Sequence, residues 1–286
     1  METLKLNSTG TLVELLQSTL KELGLYRGAI DGIFGYQTQN AVILFQRNNN
    51  LTPDGIVGPK TWTSLMPYIN GFITYKIKAG DSYYRISQDF NTTVNALIYA
   101  NPSTDYNNLV IDEEIIIPIG SIVQTDISYT SYILNLNLNS FKKIYPFLEY
   151  SNIGRTVLGR PITAIRFGTG AKEVFYNAAI HANEWITTPL LMKFLENLCK
   201  SYVNKIPILG VNIDSLFKNV SLYIVPMINQ DGVDLVTGYL DKNSYGYNLA
   251  EKISFNFPDI LFPSGWKANI ERYRFKFTIS CRMGKS

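Results

Sequence analysis

An eight-residue pattern that occurs twice, 23 positions apart, sets the strongest limit on what this chain can fold into. Asp31-Gly32-Ile33-Phe34-Gly35-Tyr36-Gln37-Thr38 returns as Asp54-Gly55-Ile56-Val57-Gly58-Pro59-Lys60-Thr61. Each copy opens on Asp-Gly, a pair suited to a turn that needs positive φ. Each closes on a threonine near the start of the next helix. Ahead of the first copy, Leu12, Leu15, Leu16, Thr19, Leu20 and Leu23 keep helical spacing, and Gly24 is placed for a C-terminal cap. Between the copies, Ala41, Val42, Leu44 and Phe45 continue the same period. The repeat therefore predicts a small three-helix domain over residues 8–68.

A second pattern begins after an expected linker at residues 67–71. Alternation at Tyr75 and Ile77 reads as a strand, and Lys78-Ala79-Gly80-Asp81-Ser82 as a turn in which Asp81 suits a helix N-cap. Short helical stretches surround Ile86 and Leu97, Asn101-Pro102 makes a turn, and Ile115-Ile116-Ile117-Pro118 reads as a closing strand. This is a small β-α-α-β unit over residues 73–119. A second linker is expected at 120–126. From residue 127 the pattern changes again. A helix is predicted at 141–148, strands at 162–167, 174–180 and 220–227, and an amphipathic helix at 190–202 with Pro189 in its first turn. Strands alternating with helices predict an α/β layer with a parallel or mixed sheet. The fold class is thus multidomain, with the third domain an incomplete α/β unit over 127–271.

Net charge is +3, but five of the 26 basic residues, Arg272, Arg274, Lys276, Arg282 and Lys285, fall in a tail without acids. Setting them aside leaves the rest of the chain acidic against its 23 Asp and Glu, which argues against nucleic acid as a partner. No run reaches the roughly 20 apolar residues of a membrane span. Met1-Glu2-Thr3-Leu4-Lys5-Leu6 lacks the basic start and apolar run of a secretory signal, so synthesis in the cytoplasm is expected, with export unexplained. Two cysteines, Cys199 and Cys281, make no disulfide framework.

The chemistry concentrates in Ile180-His181-Ala182-Asn183-Glu184-Trp185. An imidazole and a carboxylate three residues apart, just past a buried strand, can meet on one cation, and both ligand types suit zinc. A lone histidine at a strand end also serves as an ordinary hydrogen-bonded core residue. Flanking segments decide between these readings.

The repeat, together with Leu15-Leu16-Gln17, Phe45-Gln46 and Leu51-Thr52-Pro53, resembles the helical peptidoglycan-binding domain. Residues 73–119 are similar to the LysM domain. That resemblance implies binding of N-acetylglucosamine polymers beside two loops, with Gly80, Asp81, Ser82 and Asn101 as candidate glycan contacts. Ser151-Asn152-Ile153-Gly154-Arg155, the His181 segment and Asn229-Gln230-Asp231-Gly232, in this order, resemble the zinc carboxypeptidase family. Within it they look most like the bacterial branch that cleaves γ-D-glutamyl bonds in peptidoglycan stem peptides.

The resemblance implies zinc as cofactor, His181 and Glu184 as its first two ligands, and peptidoglycan glycan strands and stem peptides as partners, at the bacterial cell wall or spore. Asn183 stands where the family usually has a substrate-binding arginine, and Gln230 where it has proline. The family takes its third zinc ligand from a distant histidine and its general base from a later glutamate. His181 is the single histidine of this sequence, so the site is expected to be incomplete, with no catalytic residue present. A non-catalytic wall-binding protein is the alternative. The resemblance also implies a Gly-Ile-Asp-Leu-Asn-like segment soon after Trp266-Lys267-Ala268-Asn269. One codon choice for the residues from Glu271 onward yields that segment when a single base is removed. Residues 272–286 are therefore expected to be an out-of-frame tail that truncates the domain.

Overall fold

The computed structural model describes residues 1–271; the expected out-of-frame tail and Cys281 lie outside the described residues. Three helices, α1 (Thr11–Glu22), α2 (Tyr36–Asn48) and α3 (Pro59–Asn70), form the first module. Its repeat has a specific physical basis. The buried Gln17 amide donates to Asp31 Oδ1, Ile33 O and Thr38 Oγ1, while its carbonyl accepts from the N–H groups of Asp31 and Gly32. Gln46 repeats the pattern on Asp54 Oδ1, Ile56 O, Thr61 Oγ1 and Gly55 N. Each Asp-Gly loop is therefore organised around a glutamine of the preceding helix. The Gln17 amide and the Ile33 N–H hold the Asp31 carboxyl below its usual range, and Ile56 N–H with Gln46 does the same for Asp54.

The expected linker at 67–71 is instead the end of α3, which carries Pro67 inside it and stops at Gly71 (φ 71°). Trp62, Leu65 and Ile69 are buried on one face, and that packing outweighs the one backbone bond a proline removes. Strand β1 (Phe72–Lys76) follows at once and pairs antiparallel with β2 (Glu114–Pro118) across α4 (Tyr83–Asp89) and α5 (Val94–Ala100). Ser82, not Asp81, caps α4 by accepting from Arg85 N. Asp81 Oδ2 instead closes the preceding turn, accepting from Lys78 N at 2.8 Å and Tyr75 Oη at 2.9 Å.

In the third module the first helix, α6 (Ser131–Ile144), begins ten residues before its expected start and ends before Pro146. Thr130 caps it, and Ile133, Leu134, Leu138 and Phe141 form the buried stripe. The sheet is mixed, in the order β3 (Glu149–Arg155), β4 (Pro161–Phe167), β6 (Val220–Val225), β5 (Lys172–Asn177). β4 runs antiparallel to both β3 and β6, and β5 runs parallel to β6. β3 was not anticipated, because its exposed, polar side chains carry no apolar alternation. Gly170 lets the β4–β5 turn lie against the end of α8 (Ile213–Asn219): a Cβ there would sit 1.8 Å from Asn219 C. Helix α7 (Thr187–Asn204) packs on the sheet with α6. α9 (Gln230–Val236) and α10 (Tyr245–Ser254) follow β6. β5 forms one edge of the sheet, and Phe175, Tyr176, Leu190 and Phe194 are exposed on and near it.

The expected linker at 120–126 is a packed seam, with Ile122, Val123 and Gln124 all buried. Its anchor is Glu196 of α7, which is fully buried. Glu196 accepts from Ile122 N at 2.8 Å and from Ser121 Oγ, and pairs with Lys193 (2.8 Å) and Lys200 (2.9 Å). Glu14 of α1 accepts from Ser128 N, and Ser18 donates to Asp126. One continuous core joins the first module to the third, and the β-α-α-β module adds Thr93–Asn204 and Tyr99–Lys205 bonds to it. Among the described residues no helix is long and apolar enough to cross a membrane.

Two outcomes follow from these contacts. Gln17→Ala orphans two loop N–H groups, that of Gly32 buried, so the chain loses about 1–3 kcal/mol, read as a lower midpoint in urea unfolding. Burial alone would raise the Glu196 carboxyl pKa, but Lys200, Lys193 and the Ile122 N–H outweigh it and hold it down. Its stabilisation is thus full above the ordinary glutamate value of about 4.3 and is lost as pH falls through the lowered folded value. Glu196→Gln should flatten the acid limb of the stability-versus-pH curve below about pH 4.3 and cost about 1–3 kcal/mol at neutral pH; equal acid limbs would exclude this role.

Candidate metal-binding turn

The site is built where β5 leaves the sheet. Ala178 N still bonds Val225 O at 3.0 Å, but the next residue, Ala179, takes φ +49° while buried. That left-handed step is unusual for alanine, and it ends the strand short of the expected residue 180. Residues 182–184 then form a 3-10 turn, with His181 as its N-cap residue and α7 beginning at Thr187. Thr187 Oγ1 staples the two ends of this excursion, accepting from Ala179 N at 2.9 Å and donating to Glu184 O at 2.7 Å.

Packing from below fixes the turn. Ala182 is fully buried, and its N–H donates to Lys267 O at 3.2 Å. Asn229 caps α9 by accepting from Gly232 N, and its amide donates to Ile180 O and Ala268 O. Gly232 is required here: a Cβ on it would lie 2.8 Å from the Ala182 Cβ and 2.7 Å from the Asn229 amide. Asp231 is buried and accepts from Thr156 Oγ1 and Leu158 N, while Arg160 stands 3.6 Å away. Gln230 donates to Pro161 O at 2.8 Å, tying α9 to the start of β4. The departure from proline at position 230 thus supplies a helix-to-strand bond.

On this platform His181 Nδ1 and Glu184 Oε1 lie 3.0 Å apart, with the two side chains 40% and 50% exposed. At that distance the two side chains contact each other directly as a hydrogen-bonded pair; ligand atoms in a tetrahedral zinc site with bonds of ~2.05 Å are about 3.3 Å apart, so the two would have to part slightly to share a cation. Among the described residues no third His, Cys, Asp or Glu joins them. Asn183 lies between the two, and its Oδ1 is buried without a hydrogen-bond partner.

The candidate glycan contacts are distributed differently. Gly80 (φ +83°), Asp81 and Ser82 share the β1–α4 loop, where Gly80 has open space around it. Asn101 is only 9% exposed and clasps β2, donating to Leu97 O and Ile116 O and accepting from Ile116 N. The structure therefore does not bring Asn101 to the surface beside that loop. Exposed Tyr84 and Tyr106 stand near these loops instead, a feature that loop composition alone does not mark.

Three successive segments of the chain are similar to known protein families. The peptidoglycan binding domain model matches residues 9–65, the LysM domain model 75–118 and the Zinc carboxypeptidase model 136–268. The chain is 41% identical over 143 residues to Gamma-D-glutamyl-L-diamino acid endopeptidase 1 of Lysinibacillus sphaericus, covering 49% of this chain and 35% of that protein. It is 39% identical over 129 residues to the protein YqgT of Bacillus subtilis (strain 168), covering 44% and 34%. A further match, 40% identical over 74 residues, is N-acetylmuramoyl-L-alanine amidase CwlM of Mycobacterium tuberculosis, covering 26% and 17%. The chain spans about a third of the length of the first two relatives.

Gly232→Ala should push the 3-10 turn off α9, destabilise the chain by about 1–3 kcal/mol and separate His181 from Glu184. Thermal unfolding together with the His181 ring signals in NMR checks both effects.

Proposed function

We propose that this chain is a peptidoglycan-binding protein of a zinc-peptidase lineage directed at γ-D-glutamyl–diamino acid bonds in stem peptides. In this reading His181 and Glu184 are metal donors, and the chain by itself binds wall without hydrolysing it. The placement of His181 and Glu184 on one exposed turn, close enough to touch at 3.0 Å, carries the reading. The wall-binding modules in front and the likeness to a γ-D-glutamyl endopeptidase support the substrate class.

Zinc at such a site supplies Lewis acidity and lowers the pKa of bound water. This chain's residues hold and orient. Thr187 and Asn229 fix the turn, His181 and Glu184 present two donors, and Asn183 places an unpaired carbonyl acceptor beside them. Catalytic zinc sites ordinarily have three protein ligands and an open position. Two donors hold the ion weakly, and no described carboxylate beyond Glu184 joins the site to act as base. That favours wall binding over turnover. Association with the bacterial cell wall follows from the same modules.

The full chain should sediment with insoluble peptidoglycan and leave diaminopimelate-containing stem peptides uncleaved with zinc present. Competition against a chromophoric chelator should show weak zinc binding that His181→Ala and Glu184→Gln abolish. Chelator-sensitive hydrolysis lost in His181→Ala would overturn the non-hydrolytic reading, and failure to sediment would overturn the wall-binding one.

A further inference from the structure

An open cleft of about 440 Å³ lies between the first and third modules, away from the His181 turn and the β1–α4 loop. Its walls include Glu2, Thr9 and Thr11 on one side and Tyr132, Thr237 and Tyr239 on the other. The two tyrosine rings are 5.9 Å apart with planes inclined by 33°, and Tyr239 is 40% exposed. The pair is held in place from behind. Buried Asp234 of α9 accepts from both the backbone N–H and the hydroxyl of Ser131, the residue before Tyr132, and its own carbonyl accepts from Leu240 N, just past Tyr239. Arg160 forms an ion pair with the same carboxylate. One buried residue thus fixes the backbone beside both rings.

The chemistry of the cleft is that of a neutral, polar, flat-faced ligand. Glu2 is the one charged side chain in its lining, and Met1, which carries the α-ammonium, lines it as well; the lining is thus close to neutral and lacks the cationic side chains that hold phosphates and nucleotides. Threonine hydroxyls both donate and accept. Gly10 (φ +107°) and Gly238 (φ +75°) line the cleft with no atom within 4 Å of where a Cβ would lie, so a ligand can approach the backbone closely there. Rigid aromatic faces with hydroxyl partners match the apolar C–H faces and hydroxyl rims of a pyranose.

We propose that this inter-module cleft is a glycan-strand subsite in which Tyr132 and Tyr239 stack on an N-acetylhexosamine unit. The inference rests on the wall-binding reading above and adds a contact that neither wall-binding module supplies alone. Hydrogen-exchange mass spectrometry of the full chain with chitohexaose tests it. Segments 9–12, 131–133 and 237–240 should gain protection, and Tyr239→Leu should weaken that protection about tenfold, the scale of one lost ring contact. Tyr239→Phe, which keeps the ring, should titrate as the wild type and controls for folding. Protection confined to residues 80–106, or unchanged titration of Tyr239→Leu, overturns the subsite while leaving wall binding intact. If chitohexaose protects nothing and peptidoglycan sedimentation also fails, both readings fall.

Discussion

Burying one carboxylate determines how the three modules sit together. Glu196 has no access to solvent, and an unpaired charge in that position would be prohibitive. Its satisfaction requires Lys193 and Lys200 from its own helix, and Ser121 and Ile122 N from the segment between the second and third modules. That segment is thereby drawn into the core, where Asn137 reaches it through Ile122 O and Glu14 of the first module bonds Ser128 nearby. What sequence spacing marks as a linker is the place where the chain is most constrained.

The turn that carries His181 shows the same logic on a smaller scale. The His181 and Glu184 side chains are exposed, but almost everything holding them is buried: Ala182, Gly232, Asn229 and Asp231. A left-handed alanine starts the turn and a threonine staple closes it. Strained backbone persists where its surroundings over-determine it, and here Asn229 supplies bonds to two chain segments as well as its own helix cap.

Much of this was legible in the chain itself. The duplicated Asp-Gly motif gave away the three-helix module because turn chemistry is local, and the period of Leu12 to Leu23 fixed its first helix. The meeting of His181 and Glu184 was readable because a spacing of three residues brings two side chains onto one face of a turn. What stayed hidden depended on distant partners. Gln17 and Gln46 look like ordinary helix polar residues until the loops they organise are folded against them. Pro67 read as a stop because the buried face of Trp62, Leu65 and Ile69 that overrides it is a tertiary fact. Asp81 and Ser82 are both good caps by type, and only the Lys78 turn decides which serves. Asn101 read as a surface turn residue, but its amide is the bond that pins β2. Strand β3 exists by pairing with β4 rather than by any pattern of its own.

The packed seam has a consequence for how the chain meets a polymer. Two binding modules on a floppy tether sample many separations, and the second contact gains only the effective concentration the tether allows. Here the modules share a framework of fixed geometry, so a polymer long enough to span them would meet surfaces whose spacing is set in advance, like the marks of a ruler.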